Sequence, residues 1–279
     1  MKTTLVTLNR AVCLALLACS AAAFGQSSTN AVVFKDKNLE KAVRKSVIMK
    51  KDTTEALTEN DLANLSTVQG TGMEISDLSG LEKCLSLASL DLAQNRVKDL
   101  APLKALVRIQ YLNLAGNQIE DISPLSEIKA LQYIELSNNR VKDLKPLSGL
   151  TNMASLYLSN NQITDIKPLL GMRRLSSLYL DDNKVKSIAG LDALKGLSSL
   201  SLKNNGLSDI APLESLNNLY FLFLEGNKIR DLTPLINAAK KDFEGDKRFA
   251  PFLNLFLKGN PVKGSQKSRL KEYGVRLTD

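Results

Sequence analysis

From Leu87 onward, apolar and polar positions follow one template. In LNLAGNQIEDISPL, residues 112–125, apolar letters fall five and three places before an Asn and two, five and eight places after it. The pattern returns 22 residues later as IELSNNRVKDLKPL and again as LYLSNNQITDIKPL. Asn recurs in this frame at 95, 117, 139, 161, 183, 205 and 227, so the self-similarity is an internal repeat of constant period. The stretch x-L-x-L-x before each Asn alternates with period two and predicts a strand, with its Leu residues on one face and its x residues on the other. One such strand cannot bury its Leu side chains alone. Stacked as a parallel sheet, successive copies bury them together.

The other constant letters suit the same architecture. An Asn amide both donates and accepts, so an Asn where the chain leaves the strand satisfies backbone groups that face the interior. Asn95, Asn117, Asn139, Asn161, Asn183, Asn205 and Asn227, with Asn260 further on, are therefore expected to form a structural ladder. Asp and x-Pro four and seven places after the Asn read as a cap and first-turn residue of a short helical turn. The 22-residue return path leaves room for little more than a 3₁₀ turn. The fifth copy departs, with Ser187 in place of Asp and Gly190 in place of Pro. An eighth copy, Leu255, Leu257 and Asn260, is displaced by an insertion, and TPLINAAKKDFEG before it predicts a helix.

Both ends read as caps that cover terminal apolar faces. Asp36 starts a helix that places Leu39, Ala42, Val43 and Val47 on one face. Thr58 to Asp61 reads as a capping box, with Leu57 and Leu62 as its hydrophobic staple. Val68, Ile75, Asp77, Leu78 and Leu81 form a degenerate first repeat with Met73 in the Asn place. Ser265 opens a last helix that Gly274 stops. The division expected is a leader over 1–25, a helical cap over 26–66, the repeat solenoid over 67–262 and a C-terminal cap over 263–279.

The leader is MKTTLVTLNRAVCLALLACSAAAFGQ. Its Lys2 and Arg10 precede an apolar run from Ala11 to Cys19, and small residues end at Ala23 and Gly25. That order predicts a cleaved secretory signal and an exported protein, whether periplasmic, outer-membrane-associated or secreted. Leu16-Leu17-Ala18-Cys19 offers the alternative of a lipid anchor on Cys19. No later stretch is apolar enough to span a membrane. Cys84 occupies a place where other copies carry Leu and is expected to be a small core residue.

Composition narrows the chemistry. Hydrophobic residues make up 44% and aromatics 5%, so the core is aliphatic. The formal charge of +8 is a mild excess that suits solubility, and nucleic acid is not an expected partner. There is no His, and GxSxG, Walker A and HExxH motifs are missing, so no enzyme, cofactor or metal site is expected. Asp181 and Asp182 are adjacent in a strand, which sends their side chains to opposite sides.

The frame N-x-[IV]-x-D-[IL]-x-P-L, preceded by VFKDKNLEKAVRKSV and LTENDLANLSTVQG, resembles the bacterial internalin-type leucine-rich repeat proteins over roughly residues 32–260. The resemblance implies an α/β fold: a right-handed leucine-rich repeat solenoid, horseshoe-shaped, with a parallel concave β-sheet, 3₁₀ or helical turns outside and helical caps. It also implies that the concave sheet binds an extracellular protein.

The letters that vary between copies lie on the outward face of the sheet. Outward strand positions lie six, four and two places before each Asn and hold four of the 6 tyrosines and three phenylalanines. Tyr111, Tyr133, Glu135, Tyr157, Tyr179, Asp181, Phe221, Phe223 and Glu225 are the candidate partner-binding residues. Aromatics supply large contact area at low entropic cost. The competing reading is that these aromatics stack merely to stabilise the sheet. A second pattern places basic pairs just after the Asn in alternate copies, Arg96/Lys98, Arg140/Lys142, Lys184/Lys186 and Lys228/Arg230. These suggest an anionic surface polymer as an alternative partner, or simply a solvated edge.

Overall fold

The computed structural model describes residues 30–278. The leader, its cleavage point and Cys19 lie outside the described residues. Ten short strands form one open sheet in sequence order, β1 (Thr67–Gln69), β2 (Ser89–Asp91), β3 (Tyr111–Asn113), β4 (Tyr133–Glu135), β5 (Ser155–Tyr157), β6 (Ser177–Tyr179), β7 (Ser199–Ser201), β8 (Phe221–Phe223), β9 (Asn254–Phe256) and β10 (Arg276–Thr278). Every neighbouring pair is parallel. The register steps by whole repeats, so Leu90, Leu112, Ile134, Leu156, Leu178, Leu200, Leu222 and Leu255 form one row of completely buried side chains. Full burial of each stabilises the coil by about 1.5–3 kcal/mol before chain entropy is counted. This row holds adjacent coils together.

Outside the sheet the chain returns through 3₁₀ turns such as Ser123–Leu125, Lys145–Leu147 and Lys167–Leu169, each with Pro early in the turn. The Asp of the frame acts one place earlier than a helix cap. Its carboxylate accepts the N–H two residues on, as in Asp121 to Ser123 at 2.8 Å and Asp143 to Lys145 at 2.9 Å. This is an Asx turn that hands the chain to the 3₁₀ segment. In the fifth copy Ser187 makes the weaker version, 3.3 Å to the Ala189 N–H. Gly190 there has φ +87°, so the turn starts later, at Leu191.

The ends close as helices and strands together. In α1 (Lys37–Ser46), Asp36 accepts from the Asn38 and Leu39 N–H groups and Leu39, Ala42 and Val43 are buried. In α2 (Glu59–Ala63), Thr58 and Asp61 complete a reciprocal capping box. The insertion folds as α3 (Thr233–Phe243), with Leu235, Ile236, Ala238 and Ala239 in the core. After α4 (Gly264–Glu272) the chain turns at Gly274 and returns as β10, which places Leu277 beside Leu255. The C-terminal end is thus a strand as well as a helix. Sequence reading missed it because Arg-Leu-Thr is too short to show alternation. No helix among the described residues is long and apolar enough to cross a membrane.

Candidate binding face

Each turn out of β2 to β9 is held by an Asn amide. Asn139 Nδ2 donates to the carbonyls of Leu114 (2.9 Å) and Leu136 (3.0 Å), while its Oδ1 accepts from the Ile119 N–H at 3.0 Å. The same scheme joins Asn95 to Gly70 and Ile75, Asn117 to Leu92 and Val97, and Asn161 to Leu136 and Val141. It continues with Asn183 to Leu158 and Ile163, Asn205 to Leu180 and Val185, Asn227 to Leu202 and Leu207, and Asn260 to Leu224 and Ile229. The amides are spent on the backbone and offer nothing to a ligand. Just before each of these eight asparagines the backbone takes the left-handed conformation, from Gln94 (φ 57°) through Asn204 (φ 51°) to Gly259 (φ 79°).

The ladder asparagines therefore fix where each strand ends, and the side chains on the open face inherit that spacing. Tyr111 and Tyr133 lie at the first position of their strands, whereas Tyr157, Tyr179, Phe223 and Phe256 lie at the third. Strands about 4.8 Å apart bring such rings within stacking reach. The rings meet in sequence: Tyr111–Tyr133 at 4.4 Å between centroids, Tyr133–Tyr157 at 5.4 Å, Tyr157–Tyr179 at 5.0 Å, Tyr179–Phe223 at 6.4 Å and Phe223–Phe256 at 4.5 Å. One ridge of six rings thus crosses the sheet, stepping from the first strand position to the third between Tyr133 and Tyr157. The rings cover one another, so all six are half-buried rather than fully exposed. Burial, with the neighbouring phenols and Glu135, raises the Tyr133 and Tyr157 phenols above their ordinary range. Tyr179 shares a hydrogen bond of 2.7 Å with Ser199.

Phe221 is 46% exposed and stacks on Phe223 at 6.3 Å; Tyr220 and Phe252, which meet edge to face at 6.5 Å, are equally open. The last two were not among the candidates, since they lie outside the strict strand frame. Phe256 completes the ridge for the same reason that its frame position suggested. Two outward positions are not open: Ser201 is fully buried and Ala93 nearly so.

Charge on this face is arranged around the ridge. Asp181 Oδ1 accepts from the Ser201 hydroxyl and from the Lys203 N–H at 2.9 Å. Burial raises its pKa despite those bonds. Lys203 Nζ lies 3.2 Å from Glu225 and 4.6 Å from the Phe223 ring centroid. Asp91 is satisfied by Thr71, the Ala93 N–H and Asn113. Glu135 Oε1 accepts the Ser137 N–H at 2.7 Å. On the basic edge, Arg96 pairs with Glu74 and Lys142 with Glu120, each one repeat back. No cluster of potential metal ligands occurs among the described residues.

A stacked parallel sheet, a buried Asn ladder and a variable outward face together define a leucine-rich repeat scaffold. The family model "Leucine Rich repeats (2 copies)" matches residues 85–127, 107–149, 129–171, 151–193 and 195–237. Among solved structures, an internalin of Listeria monocytogenes, inlF, aligns at 28% identity with a TM-score of 0.77, covering 91% of this chain and 74% of that one. Internalin C2 of the same organism aligns at 36% identity with a TM-score of 0.71, over 74% of this chain and 91% of that one. A leucine-rich repeat protein of Leptospira interrogans shares the fold at 22% identity and a TM-score of 0.64, over 74% of this chain and 58% of that one. Comparison with curated proteins returns no match. The chain belongs to the internalin-type bacterial leucine-rich repeat proteins. Its architecture is that of a protein-binding scaffold.

Proposed function

We propose that this chain is a non-enzymatic, exported binding protein that recognises a protein partner through the aromatic, acidic face of its sheet. The observation that carries the reading is the ridge of six rings on the side of the sheet that no other element among the described residues packs over. A stack needed for stability alone would not require Phe221, stacked on Phe223, to remain about half exposed. Tyr111, Tyr133, Tyr157, Tyr179, Phe221 and Phe223 supply contact area, and Glu135, Asp181 and Glu225 supply charge selectivity. Export rests on the leader sequence, and mass spectrometry of the mature N-terminus distinguishes cleavage near Ala23 from lipidation at Cys19.

Capture of proteins from envelope and extracellular extracts, with the purified wild type beside a Tyr133→Ser, Tyr157→Ser, Tyr179→Ser variant, tests the reading. The triple variant should keep its circular dichroism spectrum and lose the captured partner; equal capture by both would overturn the proposal. The polymer alternative is less well supported, because Arg96 and Lys142 of the basic edge already pair with Glu74 and Glu120.

A further inference from the structure

The ridge divides the open face into two unlike halves. On one side lie Ser155, Ser177 and Ser199, at the first position of their strands, and none carries charge. On the other side lie Glu135, Asp181, Lys203 and Glu225. At the far end of that charged side the chain provides its own cation. Lys203 rests on the Phe223 ring and pairs with Glu225, whose second oxygen is buried. An aromatic ring beside a carboxylate on this surface therefore holds an ammonium group.

Glu135 is likewise a carboxylate two residues after an aromatic ring, without the cation. It stands beside Tyr157 in the strand register and two residues after Tyr133, at the step where the ridge changes position. There the two rings tilt by 41°, against 14° for Tyr111 on Tyr133 and 26° for Tyr157 on Tyr179. Its Oε1 is taken by the Ser137 N–H, while Oε2 is left accessible, and no Lys or Arg among the described residues pairs with it. Asn113, which faces Glu135 across the register as Lys203 faces Glu225 one coil on, is uncharged and gives its amide to Asp91.

We infer that Glu135, flanked by Tyr133 and Tyr157, is the seat of a lysine or arginine side chain projecting from the protein partner. This rests on the proposed function and adds the chemistry of the contact. The partner segment lying along the ridge has a basic residue facing Glu135 and uncharged residues facing the serine side. Lys203 and Glu225 close the far end against a further cation.

The test uses a random peptide library displayed on phage, selected against the wild-type protein and then scored on Glu135→Gln, Glu135→Lys and the triple tyrosine variant. Peptides that need the tyrosines should share an Arg or Lys, lose about tenfold in affinity on Glu135→Gln and bind more weakly as salt rises. Changing that Arg or Lys to Glu should restore binding to Glu135→Lys. Peptides that need the tyrosines but ignore Glu135 overturn this inference and leave the proposed face standing. A selection that yields no peptide sensitive to the tyrosines counts against both.

Discussion

Replacing Asn139 by Ala isolates what the ladder contributes. The Leu114 carbonyl receives a hydrogen bond from Asn117 as well as Asn139, and the Leu136 carbonyl receives one from Asn161 as well as Asn139. Both acceptors therefore keep one donor in the variant. The Ile119 N–H does not, because Asn139 Oδ1 is its acceptor at 3.0 Å and the group is buried. An orphaned buried donor costs about 1–3 kcal/mol, and two weakened carbonyl contacts bring the total to about 2–4 kcal/mol. Urea unfolding with the slope held in common measures the sum, and native-state hydrogen exchange at the Ile119 amide reads the local defect. Asn139→Asp should be worse at neutral pH, since a carboxylate oxygen then faces two carbonyls, and it should recover in acid. Asn260, only half-buried, should lose less than Asn139 on the same change to Ala. A loss below about 0.5 kcal/mol for Asn139→Ala, with Ile119 still protected, would refute the account of the ladder.

Three further outcomes follow from particular side chains. Burial raises the Asp36 pKa, but the Ser76, Leu39, Asn38 and Asp77 N–H groups together outweigh it and hold the carboxyl below its ordinary 3.8. Its stabilisation is therefore present above pH 3.8 and lost as pH falls through the lowered value; Asp36→Asn should flatten that part of the acid unfolding curve. Burial pushes the Cys84 thiol up to about 12, so iodoacetamide at mild alkaline pH should leave it unmodified until urea unfolds the chain. Gly190→Ala should cost about 1–3 kcal/mol in thermal or urea unfolding. Its φ is +87°, and a Cβ there would meet Leu170 Cδ1 at 2.7 Å. Restoring the frame's Pro at that position should cost more, because proline cannot adopt a positive φ.

The repeat, its strands and its ladder were legible before any coordinates because they depend on local alternation and on a constant period. Leu112 and Leu114 announce a strand face, and Asn117 announces a turn, whatever lies in the next coil. Even the left-handed step before each Asn left a trace, in the Gln, Gly, Asn and Asp that occupy it, residues that tolerate or favour that conformation. The Asp of the frame was assigned to the right turn and to the wrong place in it. An Asx turn and an N-cap use the same side chain, and only the backbone angles separate them.

The binding face was legible as a set of residues but not as an arrangement. Sequence alone determined that Tyr133 and Tyr157 point outward; it did not show that their rings, at different strand positions, lean together at 5.4 Å. Tertiary structure decided the unbroken ridge, the confinement of charge to one side of it, the burial of Ser201 and the pairing of Lys203 with Glu225. It also decided that Arg276–Thr278 adds a strand. The physical reason is that alternation within a strand fixes the side a residue faces, whereas contacts between strands depend on how far each side chain reaches across the gap to the next coil.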